Sequence, residues 1–221
     1  MNIISKSLSS VLIIYLAAFG LYGAFEPQII DAAAVADQVT VTATVTGEIT
    51  ITSPSDVTMS PSIPGLTGGT ATGTATWTVV TNNSTGYNVT HIASSTAMNG
   101  DTQGGSFTAY SEATPGTPDY TWSVAAADAE FGYTVNSYDD SASVATLFND
   151  NGSTCNTGSN VTYDKCYIHA STTAETIYNR SSETTSGGTT FTIDYKAESG
   201  ASAFTVADTY TATTTVTATT N

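Results

Sequence analysis

Basic residues are almost missing from this sequence. Its 221 residues hold 4 Lys and Arg against 19 Asp and Glu, for a formal net charge of −15. Binding of nucleic acid is therefore not expected, because neutralising phosphates takes clustered Lys or Arg. Charged residues of both signs make up only 10% of the chain, against roughly a quarter in ordinary soluble domains. Leu, Lys, Arg and Glu, the good helix formers, are too few for a mainly helical body. Histidine occurs only at His91 and His169. With no H-x-x-x-H and no neighbouring ligand cluster, they do not read as a catalytic metal site. No G-x-S-x-G, Walker or dinucleotide glycine pattern is found. Cysteine occurs twice, at Cys155 and Cys166, and the spacing is not C-x-x-C. After residue 25 no apolar run has the length of a membrane span.

Threonine fills the space left by charge. There are 44, and none precedes Thr40. The chain thus has a Thr-free head and a Thr-rich body. In the head, Lys6 is a short positive region, and Leu8 to Phe25 is apolar. Glu26, Pro27, Gln28 and Asp31 follow, and then Ala34-Val35-Ala36. Small residues at that spacing suit a signal peptidase, so residues 1–36 are expected to form a signal-peptide helix cleaved between Ala36 and Asp37. The alternative is an uncleaved membrane anchor over Leu8–Phe25, since about 18 apolar residues just span a bilayer. Either way the body, residues 37–221, is expected outside the cell or at its surface. An oxidising compartment suits a local disulfide between Cys155 and Cys166.

The body reads as strands. From Val39 to Ile51 the odd positions include Val39, Val41, Val45, Ile49 and Ile51, and the even ones are Thr except Glu48. Such alternation predicts one long strand with a single apolar face, bent at Gly47. Thr190–Ala197 and Thr209–Thr219 alternate in the same way and are expected to pair with each other. Two stretches echo one another. Thr76-Trp77-Thr78-Val79 leads to Gly86-Tyr87-Asn88-Val89, and Thr121-Trp122-Ser123-Val124 leads to Gly132-Tyr133-Thr134-Val135. Each is expected to form a hairpin with Trp77, Tyr87, Trp122 and Tyr133 in the core. Ala142–Phe148 suits a short helical turn. Nine to twelve short strand candidates between turn clusters predict an all-β chain. The expected form is one antiparallel β-sandwich domain of Ig-like or jelly-roll type.

Candidate sites are sparse, and a non-enzymatic protein is expected, with no cofactor. Calcium is the one metal worth weighing, at Asp139, Asp140 and Asp150, where Asp139-Asp140 and Asn149-Asp150-Asn151-Gly152 are the richest oxygen clusters. Neither matches the D-x-[DN]-x-[DN]-G loop, and solvated turns explain them as well. A long terminal strand with one apolar face pairs either within its own domain or with a neighbouring chain. Self-association is therefore an expected partnership, beside other surface proteins or glycans. The alternatives are a monomeric carbohydrate- or surface-binding module and, further off, a secreted hydrolase with a dispersed triad.

Taken together, these residues resemble secreted Thr-rich bacterial surface proteins. Trp77-Thr78-Val79, Trp122-Ser123-Val124 and the terminal Tyr210–Val216 strand are similar to WxL-type surface domains, with Val in place of Leu. The signal peptide, the Val39–Thr52 strand after the cleavage point and the closing Thr/Val strand resemble the TasA/camelysin-like subunits of biofilm fibres. The second resemblance implies an extracellular filament in which the mature N-terminal strand completes a sheet of the next subunit.

Overall fold

A computed structural model describes residues 36–221. The signal-peptide helix and the Leu8–Phe25 segment lie outside those residues. Ala36 and Asp37, on either side of the expected cleavage point, are exposed and without regular structure. The chain divides into two units, Met1–Thr44 and Val45–Asn221. The second holds all the described secondary structure.

That unit is all-β. Its strands are β1 (Ile49–Thr52), β2 (Gly69–Thr81), β3 (Tyr87–Ala93), β4 (Met98–Gly100), β5 (Ser106–Ala109), β6 (Ala129–Asn136), β7 (Ile168–His169), β8 (Glu175–Arg180), β9 (Thr189–Ser199), β10 (Tyr210–Thr211) and β11 (Thr214–Thr220). They form two sheets. The larger runs β1-β2-β9-β6-β5-β4-β10, with β7 also on β6, and the smaller runs β11-β3-β8. Pairing is antiparallel except between β5 and β6. β5 and β7 share one edge of β6, β5 meeting Glu130 and Phe131 and β7 meeting Gly132 and Tyr133. In place of the expected Ala142–Phe148 turn stand two single 3-10 turns, Ser141–Ser143 and Thr146–Phe148.

Period-two alternation decides which side chains go inward. Trp77 and Val79 of β2, Phe131, Tyr133 and Val135 of β6, and Phe191, Ile193, Tyr195 and Ala197 of β9 share one buried cluster with Tyr87, Val89 and Ala93 of β3. On β8 the register slips between Val89 and Thr90, which leaves Ile177 opposite no residue of β3. Ile177 and Tyr178 are consequently both buried. Aromatic rings carry much of the contact. Tyr178 stacks on Phe191 at 5.4 Å and on Tyr87 at 5.8 Å, and Trp77 stacks on Phe191 at 5.8 Å. Such pairs each contribute about 0.5–1.5 kcal/mol beyond their burial.

Three expectations about pairing are corrected. Thr190–Ala197 and the C-terminal strand do not pair with each other: β9 is flanked by β2 and β6, and β11 lies on β3. Both edges of β9 are taken, so nothing remains for β11 to join. The first Trp–Tyr stretch is not a hairpin, because β2 and β3 belong to different sheets. In the second, Thr121–Val124 is not a strand, and Trp122 lies outside the core cluster that holds Trp77, Tyr87 and Tyr133.

Trp122 packs on the opposite face of the larger sheet. Register places Glu198 opposite Glu130, Lys196 opposite Gly132 and Asp194 opposite Thr134. Gly132 is the slot for the indole. A Cβ there would stand 2.6 Å from the Ile168 carbonyl oxygen, 3.0 Å from Tyr110 Cβ and 3.1 Å from Trp122 Cζ3. Trp122 stacks on Tyr110 at 4.1 Å, meets Tyr167 edge-on at 5.2 Å and donates from Nε1 to Glu198 at 2.8 Å. Lys196 Nζ lies 4.3 Å from the centre of the Tyr167 ring and donates to Asp164 at 2.5 Å. This second small core fixes the loop between β5 and β6.

Cys155 and Cys166 are joined in a disulfide across a separation of 11 residues. Closing a loop of that size constrains the unfolded chain, which stabilises by about 3 kcal/mol in the chain-entropy model. Replacing both by serine is expected to lower unfolding stability by that amount in guanidinium titration. The two sheets should keep their far-ultraviolet circular dichroism.

Candidate functional site

The N-terminal stretch departs most from its sequence pattern. Of the expected Val39–Thr52 strand only Ile49–Thr52 forms a ladder, on β2. Ile49 pairs with Thr81, the last residue of β2. No residue of β2 remains beyond Thr81 to receive the backbone before Ile49, and a strand without a partner has no ladder. Residues 36–48 accordingly carry no strand, and Gly47 marks no bend within one. Val39, Val41 and Val45 are 83%, 90% and 84% exposed. Three β-branched side chains at alternate positions thus face water on a segment that carries no charge between Asp37 and Glu48.

A clamp holds the root of this segment. Asn82, just past β2, donates from Nδ2 to the Thr46 carbonyl at 3.0 Å and accepts from the Glu48 amide at 2.7 Å. Its carboxamide stands in for the backbone of a strand residue. Thr81 Oγ1 adds a bond to the Glu48 carbonyl at 2.6 Å. Sequence reasoning missed this clamp, because nothing in the local pattern marks Asn82 as a partner of residues more than thirty positions earlier.

The other candidate residues are occupied elsewhere. Asp140 accepts from Arg180, from Ser143 Oγ at 2.6 Å and from Tyr178 at 3.1 Å. Burial opposes its charge, but these donors hold its carboxyl below the ordinary aspartate range. Asp139 accepts from Thr190. Asp150 is buried and takes the amides of Gly152 at 2.7 Å and Thr162 at 3.0 Å. Asp139, Asp140 and Asp150 are thus engaged by separate protein donors. Among the described residues no group of three or more His, Cys, Asp or Glu is placed to hold a metal ion. The weighed calcium site finds no support in this geometry.

The histidines differ sharply. His169 accepts or donates at Nδ1 to Glu112 at 2.6 Å, and its amide donates to the same carboxylate oxygen at 2.7 Å. The bond to Glu112 raises the His169 pKa against the effect of burial. Burial likewise opposes the Glu112 charge, yet the His169 hydrogen bonds hold its carboxyl below the usual range. No serine hydroxyl bonds to the imidazole of His169 among the described residues. His91 is fully buried against Tyr133, with ring centres 4.3 Å apart, and neither ring nitrogen has a partner.

No family model matches the chain, and no curated protein matches it.

Proposed function

We infer that this chain is an exported, non-enzymatic structural or adhesive protein of the cell surface, and that it assembles into an extracellular filament by donating residues 38–46 as a strand to a neighbour. In this reading the two sheets form an antiparallel β-sandwich, and the Thr-free head is a cleaved signal peptide. One observation carries the proposal: Val39, Val41 and Val45 keep strand alternation while standing in water without a ladder. An unpaired stretch of that pattern lowers its free energy by joining a sheet edge, where main-chain bonds supply affinity and alternate side chains supply fit. A head-to-tail contact of this kind continues into an open filament unless its rotation closes. The Asn82 clamp fixes the root of the donor and gives the segment a defined starting point.

Deleting Asp37–Val45 tests this. The truncated body retains Thr46, Glu48 and β1, so its thermal midpoint should shift by no more than a few degrees. Sedimentation and electron microscopy should show that assembly is lost. A mature chain beginning at Asp37 that stays monomeric at high concentration contradicts the reading, as does a deletion variant that still polymerises.

A second reading rests on Tyr138 and Tyr163, which are 78% and 60% exposed. Exposed phenol rings suit stacking on sugars in a monomeric binding module. Binding to a glycan array by a chain that never assembles would favour it.

A further inference from the structure

We propose that the acceptor for the donated strand is the free edge of β11 in a second copy of the chain. This rests on the assembly reading and adds to it the address of the contact. Two sheets have four end strands, and they are not equivalent as acceptors. β10 is two residues long and lies between Asp101 and Asp208, whose carboxylates bind Thr211, Thr209 and the Thr102 and Gln103 amides. β8 carries Glu175 and Arg180 and is already covered, since Val144 bridges to Tyr178 and the Ala145 amide donates to the Ile177 carbonyl. β1 is four residues long, follows Glu48 directly, and is the continuation of the donor itself. Further along, the same edge of β2 is bridged by Ser60 to Thr72.

β11 is neither short nor charged, and β1, which lies close to it, makes no ladder with it. It is seven residues long, Thr-Thr-Val-Thr-Ala-Thr-Thr, without a charge. Its one ladder neighbour among the described residues is β3. Charged side chains, shortness and cover are the devices by which edge strands avoid pairing; β11 lacks the first two, and the nearby β1 forms no ladder with it. The chemistry of donor and acceptor also agrees. Val216 and Ala218 lie half-buried against the core, while Thr215, Thr217 and Thr219 are exposed. Val39, Val41 and Val45 laid beside β11 would extend the apolar stripe, and Thr40, Thr42 and Thr44 would extend the threonine face. Electrostatics points the same way. Two mature copies, each with 17 acids against 3 bases and so a charge of −14, repel over most of their surface. A neutral segment meeting a neutral edge avoids that cost.

Cysteine pairing between two differently substituted mature chains tests the address. One chain carries Thr42→Cys. The other carries Thr215→Cys, Thr217→Cys or Thr219→Cys in separate preparations. Mixed and oxidised, at least one β11 partner should yield a mixed disulfide dimer identified by mass spectrometry, in at least tenfold excess over a Thr176→Cys control on β8. A single guard, Thr217→Lys, should lower assembly at least tenfold, and Thr176→Lys should leave it unchanged. If filaments form but Thr42→Cys crosslinks to the β8 position, or Thr217→Lys assembles normally, the address is wrong and the assembly reading stands. If the unsubstituted mature chain never assembles, the assembly reading fails, and this inference with it.

Discussion

Replacing His91 with leucine is expected to stabilise the protein and to flatten its stability between pH 4 and pH 6.5. His91 points from β3 into the core between Tyr133 and Tyr195. Water does not reach it, and both ring nitrogens lack partners. Burial alone lowers its pKa to about 4. The neighbouring polar groups look elsewhere: Tyr133 donates to Glu175 at 3.4 Å, Tyr195 pairs with Thr214 at 2.9 Å, and Glu175 lies opposite His91 on β8. In the unfolded chain histidine takes up a proton near pH 6.5, but the folded chain resists until about pH 4. Between those values the unfolded state binds more protons, so stability falls as the pH falls. At ~1.4 kcal/mol per unit the loss is about 3 kcal/mol. Leucine has similar volume and no nitrogens to leave unpaired, which should add about 1–3 kcal/mol at neutral pH.

The His169–Glu112 pair responds differently, which makes the variant diagnostic. His169 has a raised pKa, so its contribution is complete below about pH 6.5 and fades as the pH rises through the folded value. Glu112 has a lowered pKa, so its contribution persists until the pH falls through that value. Neither loses its contribution on acidification through the middle of the His91 window. Urea titrations at pH 4.5, 5.5 and 7 on both chains measure the difference. An unchanged slope in His91→Leu would show that other groups set the acid limb.

Gly132→Val is expected to cost about 3–5 kcal/mol, the range for losing a buried large aromatic contact. The isopropyl group would fall on the Ile168 carbonyl, Tyr110 and Trp122. The backbone of β6 is pinned by β9 on one side and by β5 and β7 on the other, so the β7 carbonyl must be pushed aside and the indole must leave as well. Its departure breaks the bond to Glu198 and the stack on Tyr110. The emission of Trp122 should shift to the red, while Trp77, buried in the main core cluster, keeps its blue emission. A Trp77→Phe background isolates the signal. Gly132→Val with unchanged emission and stability would mean that the slot does not hold Trp122.

The comparison of these two tryptophans shows what local sequence conveys. Thr76-Trp77-Thr78-Val79 and Thr121-Trp122-Ser123-Val124 are nearly the same words, and alternation placed both rings inward. Only Trp77 follows, because β2 has β9 beside it across eleven paired residues. Trp122 has no ladder and is held by a gap at Gly132, ten residues further on and legible only once the sheet exists. β9 and β11 were readable as strands for the same reason as β2: half-buried strands carry period two. Their partners were not readable, since both edges of a strand look alike in sequence. The Val39–Thr46 stretch carries as clean a pattern as β11, and it lacks a ladder only because β2 stops at Thr81. Asp140 and Asp150 read as free turn acids until Arg180, Ser143 and two loop amides were seen to occupy them.

The order of the larger sheet sets when this protein can fold. Its middle strand, β9, lies between β2 and β6 and begins at Thr189. A growing chain makes β2 first and then more than a hundred residues before the strand that closes its ladder. The neighbouring pairs that can form in the meantime are short, four paired residues for β1 on β2 and two each for β4 on β5 and β6 on β7, so the transition state must draw distant parts of the chain together. Topologies of that kind fold in milliseconds to seconds rather than microseconds. A chain stopped anywhere before Thr189 would leave β2 and β6 with no common neighbour. The decision between folding and aggregation is therefore deferred until β9 has been made, and a truncation before Thr189 would forfeit the whole sheet rather than trim its end.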